Sequence, residues 1–352
     1  MKVLSVVGAR PQFIKAAPVS AALRAVHHEL LVHTGQHYDE EMSAVFFDEL
    51  GIPMPDYNLG VGSGTHGWQT AQMLIGLEQV LLDEEPDLVL VYGDTNSTLA
   101  GALAATKLRI PVAHVEAGLR SFNWSMPEEV NRVVTDRCSQ VLFCPTETAR
   151  KNLSQEGITA GVHVTGDVMY DAILHFLPMA DEGSVLNAYQ VMAGEYVLAT
   201  VHRAENTDTR SSLEAVLACL AEIPWPVLLP LHPRTDAALA RFDLALPMNV
   251  RAVKPAGYLQ MVALEKSARL IVTDSGGIQK EAYVLGVPCV TLREETEWVE
   301  TVDAGWNKLV GRDPKWMSEI LTSNTLPSER PLLYGDGRAA ERITEIITKT
   351  AA

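Results

Sequence analysis

The chain has 352 residues, with 28 Lys and Arg against 44 Asp and Glu, so its formal net charge at pH 7 is −16. A chain of this length exceeds one ordinary hydrophobic core, which favours two domains. The acidic balance argues against nonspecific binding to nucleic acids or anionic membranes. Any anionic ligand must therefore be bound by a local group of cations and backbone N–H groups.

Export and membrane signals are weak. The N-terminal apolar run has the look of a signal peptide, but Arg10 and Lys15 interrupt it too early. No stretch reaches the roughly 18 uninterrupted apolar residues that a membrane span needs. The cysteines are widely spaced and form no CxxC pair, which favours buried thiols over disulfides or zinc ligands; they are Cys138, Cys144, Cys219 and Cys289. We expect a cytoplasmic protein.

Strand-like apolar runs alternate with helical periodicity, which predicts βαβ units around parallel sheets. The pattern pauses after residues 164–167 and resumes at 196–202. We therefore predict an α/β protein of two doubly wound domains, residues 1–167 and 168–336, with a boundary near Gly166 and a cleft between them. A last helical stretch, at about 337–352, can pack on either domain. Further strand-like runs in the second half are 227–232, 250–253, 269–274 and 288–292.

Charged side chains cluster after the strand-like run 112–115. Glu116 follows it directly, and Glu128 lies in the first turn of a predicted helix. Because open α/β sheets bind ligands outside the carboxyl ends of their strands, Glu116, Arg120, Glu128 and Arg132 can converge there. The alternative is that Glu128 and Glu129 only offset the helix dipole and that Arg120 is a solvated surface group.

Two other strand-to-helix turns of the first half carry charges. One presents Arg10 and, along the following helix, Lys15; the other presents Asp94. Two cations in an acidic protein indicate a negatively charged substrate. Lys15 can instead be an ordinary surface lysine, and Asp94 can simply cap its helix.

In the second half, a buried strand leads into Ser275, Gly276 and Gly277, which open a helix. Free N–H groups and the positive end of the helix dipole suit a phosphate or diphosphate at this turn. Glu281, just over one helical turn later, is within reach of a nearby sugar diol. The alternative is that the glycines only permit tight packing of strand and helix.

His202 and His232 each end a strand-like run, where a histidine can bind phosphate or transfer protons, although a lone histidine usually does neither. The glycine-rich stretch 60–67 lacks the preceding buried strand that a dinucleotide fingerprint requires. The histidines lack paired metal-ligand spacing. The sequence therefore predicts neither NAD nor a metal.

Seven blocks, spread in the expected order over nearly the whole chain, together resemble the non-hydrolysing UDP-N-acetylglucosamine 2-epimerases. They are GARPQFIK (8–15), HTGQH (33–37), YGDTNST (92–98), HVEAGLRS (114–121), MPEEVNR (126–132), HRAEN (202–206) and DSGGIQKEA (274–282). The resemblance implies two Rossmann-like domains in the GT-B arrangement, with UDP-sugar in the interdomain cleft. It also implies a homodimer, no cofactor, and a C-terminal helix that returns to the first domain.

The chemistry of this family explains the need for several carboxylates. The proton on carbon 2 of the sugar is not next to a carbonyl, so the family eliminates UDP from carbon 1 and adds it back through a glycal. By motif position, the catalytic residues would be Asp94, Glu116, Glu128 and His202. Substrate would be held by Arg10, Lys15 and Arg132, the diphosphate by Ser275, Gly276 and Gly277, and the ribose by Glu281.

The chain departs from the bacterial pattern at positions that bind a second, activating substrate molecule. Those places hold Asp39, Trp68 and Ala204, so we expect such activation to be absent or altered. The motifs HRAENTD, LPLHPRT, QKEA and TEWVE are also similar to the subgroup acting on UDP-2,3-diacetamido-2,3-dideoxyglucuronic acid. Arg120 or His37 would help to bind the additional carboxylate of that substrate.

Three other functions fit parts of the same pattern. A GT-B glycosyltransferase would share the fold, but it would need an acceptor groove and has no use for Asp94, Glu116 and Glu128 together. A hydrolysing epimerase would release free N-acetylmannosamine and UDP. A UDP-sugar sensor would bind without turnover. The three carboxylates favour the epimerase.

Overall fold

The computed structural model describes residues 1–36, 51–323 and 327–350. The chain divides into unit 1, Met1–His175 with Leu332–Ala352, and unit 2, Phe176–Pro331. The boundary predicted near Gly166 lies before the helix Val168–Phe176, whereas this division falls at the end of that helix.

Unit 1 is built on a seven-stranded sheet in the order β3-β2-β1-β4-β5-β6-β7, in which neighbouring strands are parallel. Its strands are β1 (Lys2–Val7), β2 (His28–His33), β3 (Tyr57–Asn58), β4 (Leu88–Tyr92), β5 (Val112–Val115), β6 (Val141–Cys144) and β7 (Val162–Val164). Its helices are α1 (Arg10–Arg24), α2 (His66–Glu84), α3 (Asn96–Lys107), α4 (Pro127–Cys138), α5 (Glu147–Gln155) and α6 (Val168–Phe176).

Small residues let α3 lie close to the centre of this sheet. A Cβ on Gly101 would be 3.1 Å from Val91 Cγ1 and 3.3 Å from Val6 Cγ2, so β4 and β1 both press against the helix. On the same face, Met73 and Leu77 of α2 are fully buried with these valines. The close approach fixes the start of α3, and with it the turn that follows β4.

Unit 2 repeats the design with six parallel strands in the order β10-β9-β8-β11-β12-β13. Its strands are β8 (Val197–Thr200), β9 (Val227–Pro230), β10 (Val250–Val253), β11 (Leu270–Thr273), β12 (Cys289–Thr291) and β13 (Asn307–Leu309). A 3₁₀ turn (Leu177–Met179) precedes its helices, which are α7 (Glu182–Ala188), α8 (Ala204–Thr207), α9 (Arg210–Ala221), α10 (Pro233–Phe242), α11 (Tyr258–Ser267), α12 (Gly276–Leu285), α13 (Val299–Asp303) and α14 (Pro314–Ser323).

Both faces of the second sheet are buried. Along β8, Val197 packs in one hydrophobic cluster and Leu198 in another, and along β11 the same holds for Val272 and Ile271. Successive side chains of a strand point to opposite faces, so continuous apolar runs are what a doubly covered parallel sheet needs. The prediction of two doubly wound parallel α/β units is confirmed.

The last helix, α15 (Ala339–Thr350), belongs to unit 1 and packs on α1. Asp171 caps it from α6, because its Oδ2 accepts a hydrogen bond from the backbone N–H of Ala340 at 2.7 Å. Across the described residues, none of the helices is long and apolar enough to cross a membrane.

Candidate active site

The turn after β5 brings together a lysine and a glutamate from distant parts of unit 1. Lys15 of α1 donates from Nζ to Glu116 Oε2, and the two side chains are only 12% and 6% exposed. Glu116 has φ +75°, a left-handed conformation that costs a residue with a side chain about 1 kcal/mol. Such outliers cluster at functional sites, which makes this ion pair a candidate centre.

Gly93 gives this pair its space. The residue follows β4 with φ +63°, and a Cβ added to it would be 3.1 Å from Lys15 Nζ and 3.2 Å from Glu116 Oε2. Because β4 and β5 are neighbours in the sheet, the turn after one strand lies beside the turn after the other. A glycine lets the backbone approach the charged pair directly.

Asp94, the next residue, is held by α4. Its Oδ2 accepts hydrogen bonds from Arg132 Nη2 at 2.6 Å and Nε at 3.0 Å, while its backbone carbonyl accepts from Asn131 Nδ2 at 2.9 Å. The Asp94 side chain remains 30% exposed, whereas Arg132 is only 4% exposed. A carboxylate that is fixed by a buried guanidinium and still open to solvent is well placed to meet a ligand.

Glu128 lies half-buried in the first turn of α4. Residues four apart on a helix are neighbours on one face, so Glu128 lies beside Arg132 on the side of α4 that holds Asp94. The structure thus brings Asp94, Glu116, Glu128, Lys15 and Arg132 to the carboxyl edge of the first sheet. The strand-end pattern predicts this convergence for three of these groups, Glu116, Glu128 and Arg132.

Glu129 does more than offset the helix dipole. Its carboxylate accepts hydrogen bonds from the backbone N–H groups of Ser121 and Phe122, each at 2.9 Å, and from Arg132 Nη1 at 2.8 Å. Burial opposes ionisation, but these hydrogen bonds and the guanidinium charge hold the pKa of Glu129 below its ordinary value. Glu129 therefore ties the loop after β5 to the Asp94 contact of Arg132.

Arg120 lies apart from this group. It is 4% exposed, and its guanidinium contacts both oxygens of Glu156 at 2.6 and 2.9 Å, Asp136 Oδ2 at 2.8 Å and the Leu119 carbonyl at 2.7 Å. These partners occupy its donors inside unit 1. The arrangement anchors the turn after β5 to α4 and to the end of α5, and it does not offer the guanidinium to a substrate.

Gln12 is a site residue that the sequence analysis missed. Its Oε1 accepts hydrogen bonds from Gly8 and Ala9 N–H at 2.8 and 3.1 Å, and its Nε2 donates to the Tyr92 carbonyl at 2.8 Å and Thr98 Oγ1 at 3.0 Å. One amide thus links the turn after β1 to the turn after β4. Its position three residues after the N-cap of α1 was the available signal.

Arg10, an expected substrate residue, begins α1 in the turn after β1. His37 lies outside the described residues, as does Asp39 of the expected activator positions. Trp68 lies exposed on α2, and Ala204 is the exposed first residue of α8.

In unit 2, His202 follows β8 and is oriented by a buried carboxylate. His202 Nδ1 is 3.1 Å from Asp274 Oδ1, the Asp274 side chain is fully buried, and the histidine side chain is 36% exposed. Asp274 also accepts hydrogen bonds from the N–H groups of His202 and Arg203 and from Asn206 Nδ2. Burial opposes its charge, but the contacts with His202, Arg203 and Asn206 hold its pKa below the ordinary value.

Asp274 is a second residue whose role sequence reasoning missed, although it precedes the serine–glycine turn. A buried carboxylate bonded to one ring nitrogen fixes the orientation of a histidine, so that the other nitrogen faces outward. His202 is therefore a rigidly held group that can contact an anion or transfer a proton. The His232 ring lies beside it, with the two ring centroids 5.4 Å apart.

Ser275 is the N-cap of α12, and Gly276 and Gly277 form its first turn. No Cβ fits on Gly276, because it would be 2.3 Å from Glu297 Oε1. On Gly277 the nearest atom would be Ser275 Oγ at 3.8 Å. The first glycine is thus required for packing, which supports the alternative reading for Gly276, while the helix N-terminus keeps the N–H groups that suit a phosphate.

Glu281 is 6% exposed, one turn along α12. The nearby Tyr258 hydroxyl has its pKa raised well above its ordinary value, first by burial and then by the Glu281 charge. Nearby Glu265 of α11 is 1% exposed, and its pKa is raised well above the ordinary range by burial and by Glu281. Among the described residues, Glu265 Oε2 has no hydrogen-bond partner.

The described residues contain no group of three or more His, Cys, Asp or Glu side chains that could hold a metal ion. At the edge of the first sheet, Lys15 is paired with Glu116 and Arg132 with Asp94. The arrangement suits acid–base chemistry on an anionic ligand.

Comparisons with known proteins agree on one family. A family model described as UDP-N-acetylglucosamine 2-epimerase matches residues 21–348. A UDP-N-acetylglucosamine 2-epimerase homolog of Methanococcus maripaludis is 52% identical over 99% of both chains. A UDP-2,3-diacetamido-2,3-dideoxy-D-glucuronate 2-epimerase of Pseudomonas aeruginosa is 50% identical over 99% of this chain and 100% of its own.

Solved structures give the same fold. The crystal structure of Methanocaldococcus jannaschii UDP-GlcNAc 2-epimerase in complex with UDP-GlcNAc and UDP has a TM-score of 0.94 and 44% identity. The match covers 99% of this chain and 100% of that one.

Proposed function

Because the chain belongs to the UDP-N-acetylglucosamine 2-epimerase family, we propose that it interconverts UDP-N-acetylglucosamine and UDP-N-acetylmannosamine by inverting carbon 2 of the sugar. The observation that carries the proposal is the group of three carboxylates, Asp94, Glu116 and Glu128, at one sheet edge with Lys15 and Arg132. A protein that only bound a nucleotide sugar would have no use for three acids beside an anionic ligand.

The reaction must remove a proton that is not acidified by a neighbouring carbonyl. A base takes the proton from carbon 2, its electron pair forms the double bond between carbons 1 and 2, and the bond from carbon 1 to the UDP oxygen breaks. UDP then adds back to carbon 1 while an acid delivers a proton to the opposite face of carbon 2. Proton transfers on two faces need separate groups, which several carboxylates supply.

The leaving diphosphate needs stabilisation as its negative charge develops. We assign this role to the N-terminus of α12, at Ser275, Gly276 and Gly277, and to His202, which Asp274 holds in place. Glu281 is assigned to the ribose. Lys15 and Arg132 remain with the reacting sugar, because each is bonded to one of the proposed catalytic carboxylates.

Arg120 receives a different role from the one expected. Its contacts with Glu156 and Asp136 make it an anchor of the turn that carries Glu116. Arg10 and His37 stay in the proposal as substrate ligands by motif position only.

The test is substitution of each carboxylate by its amide. Glu116→Gln, Asp94→Asn and Glu128→Gln should each lower kcat for UDP-N-acetylmannosamine formation by about 10² to 10⁴, while UDP still binds. Glu147→Gln is the matched control: Glu147 lies in the same unit, 62% exposed in a surface pair with Arg150. Wild-type turnover in all three amide variants would contradict the proposal.

The second candidate substrate is UDP-2,3-diacetamido-2,3-dideoxyglucuronic acid, which the full-length identity to the Pseudomonas aeruginosa enzyme favours. Both reactions use the same carbon 2 chemistry, so the carboxylates do not distinguish them. Measuring kcat/KM for both substrates with one preparation decides between them. A higher kcat/KM for the diacetamido acid would make it the substrate in place of UDP-N-acetylglucosamine.

Assembly and location complete the proposal: a cytoplasmic homodimer. The resemblance to the family supports the dimer, and the cysteines, which are free and mostly buried, suit a reducing compartment. Sedimentation equilibrium tests the assembly, and a monomer at micromolar concentration would contradict it.

A further inference from the structure

His114 is a fully buried histidine in β5 that the proposed chemistry leaves without a role. Its Nδ1 is 2.7 Å from Asp136 Oδ1, and its Nε2 is 2.8 Å from the carbonyl oxygen of Gly93. The side chains of His114 and Asp136 are both 0% exposed. The ring therefore bridges α4 and the turn after β4 without contact with water.

Both ring nitrogens must carry a proton. A backbone carbonyl only accepts hydrogen bonds, and so does a carboxylate that is ionised. Both Asp136 oxygens act as acceptors, since the one that does not face His114 contacts Arg120 at 2.8 Å and Gly118 N–H at 3.2 Å. A neutral imidazole would leave one bare nitrogen facing an oxygen in the interior, and a buried unmade hydrogen bond is costly.

The charges closest to His114 favour an imidazolium. Arg120 bridges Asp136 and Glu156, so this cluster holds two carboxylates and one guanidinium. A positive His114 brings its total to zero. Buried charge is tolerated when it is paired in this way.

We infer that His114 is a positioning residue, whose buried imidazolium fixes the Gly93–Asp94 turn against Glu116. The inference rests on the proposed function. The ring holds the carbonyl that directly precedes Asp94, while Gly93 N–H donates to the Val115 carbonyl at 3.0 Å. Two proposed catalytic carboxylates are thereby set relative to one another by a side chain that contacts neither.

The imidazolium also contributes positive charge behind the site. The ionisable groups around it are Asp136 of α4, Arg120 with its partner Glu156, and the Lys15–Glu116 pair beyond Gly93. On the neighbouring strand β6, the Cys144 thiol has its pKa raised to about 12, first by burial and then by the Asp136 charge, so it stays neutral. Removing the cation therefore makes protonation of the catalytic carboxylates easier.

The first test is kinetic and uses His114→Gln, whose amide can donate to Gly93 but carries no charge. We expect kcat to fall by about ten- to a hundredfold, the effect of a small misplacement of catalytic groups, with KM changed less than about twofold. The acid limb of the pH–kcat profile should move to higher pH. His163→Gln, on β7 of the same unit, is the control and should keep the wild-type profile.

A purely structural role would give a different pattern. His114→Gln would then lose activity only in proportion to the unfolded fraction, with an unmoved acid limb, and this result would overturn the inference. If His114→Gln does not fold, His114→Asn serves in its place.

The second test does not depend on activity. In ¹⁵N spectra of histidine-labelled wild-type protein, recorded under the conditions of the activity assay, the signal lost on substitution of His114 should show two protonated ring nitrogens. One bare nitrogen would overturn the inference even in an active enzyme. An inactive wild type with two protonated nitrogens would instead count against the proposed function alone.

Discussion

Replacing Gly276 by alanine should destabilise unit 2 because the new Cβ would lie 2.3 Å from Glu297 Oε1. The carboxylate cannot simply swing away: the Glu297 side chain is 5% exposed and bonded to Arg293, itself 2% exposed, at 3.0 Å. Overpacking of a buried site costs about 1–3 kcal/mol. Loosening a buried ion pair adds to that cost, so we expect about 2 kcal/mol or more.

The expected shift in melting temperature follows from the size of unit 2. For a domain of about 150 residues, 1 kcal/mol corresponds to about 2–4 °C, so Gly276→Ala should melt about 4–8 °C lower. Gly277→Ala is the matched control, since its nearest new contact would be Ser275 Oγ at 3.8 Å. Alanine is also the better helix former by about 0.5–1 kcal/mol, so this variant should be no less stable than the wild type.

Differential scanning calorimetry with and without UDP measures both consequences. At a hundred times its Kd, a ligand stabilises the folded protein by about 2.7 kcal/mol. Gly276→Ala should gain less than this at the same UDP concentration, because the displaced turn presents its N–H groups poorly. Equal melting temperatures for the Gly276→Ala and Gly277→Ala proteins would refute the packing argument, and an unchanged UDP effect would refute the diphosphate assignment.

Three further outcomes are expected. Phe122 has φ +60° and is 69% exposed. The Phe122→Gly protein should be about 1 kcal/mol more stable to urea than the Phe122→Ala protein, since only glycine avoids the left-handed penalty; the reverse order would contradict this. Because the pKa of Glu265 is raised, the folded protein binds a proton at this residue more tightly than the unfolded chain does. The stability of the fold should therefore fall as pH rises above about 4.3. In melting curves taken from pH 5 to 9, the Glu265→Gln protein should lose less melting temperature with rising pH than the wild type. An equal loss in both proteins would contradict this role of Glu265. Initial rates should depend linearly on low substrate concentration, given Trp68 and Ala204 at the expected activator positions, whereas sigmoidicity would show that activation persists.

Apolar runs predicted most strands of both sheets, because a parallel strand buried on both faces needs apolar residues in succession. They did not predict β3 and β13. Asn307 in β13 is fully buried, but its amide donates to Gln279 Oε1 at 3.0 Å and Thr301 Oγ1 at 3.2 Å. Such partners come from other elements, so a single segment of sequence does not show that a polar residue is satisfied.

The candidate site could be predicted where strand order alone brings residues together. Asp94 and Glu116 follow adjacent strands, so their meeting follows from the parallel topology. The contacts of Arg120 do not follow from strand order, because its partner Glu156 is 36 residues further along the chain. His202 and Asp274 are 72 residues apart in the chain. They meet because His202 follows β8, Asp274 follows β11, and these two strands are neighbours in the second sheet.

Proton NMR of the reaction in deuterium oxide tests the central claim most directly. Purified protein is incubated with UDP-N-acetylglucosamine, and the carbon 2 proton is followed in substrate and product. The account predicts that UDP-N-acetylmannosamine forms with deuterium at carbon 2, because the proton is removed and a solvent-derived one is delivered to the other face. Product that retains the original proton at carbon 2 would contradict the elimination and re-addition of UDP by these carboxylates.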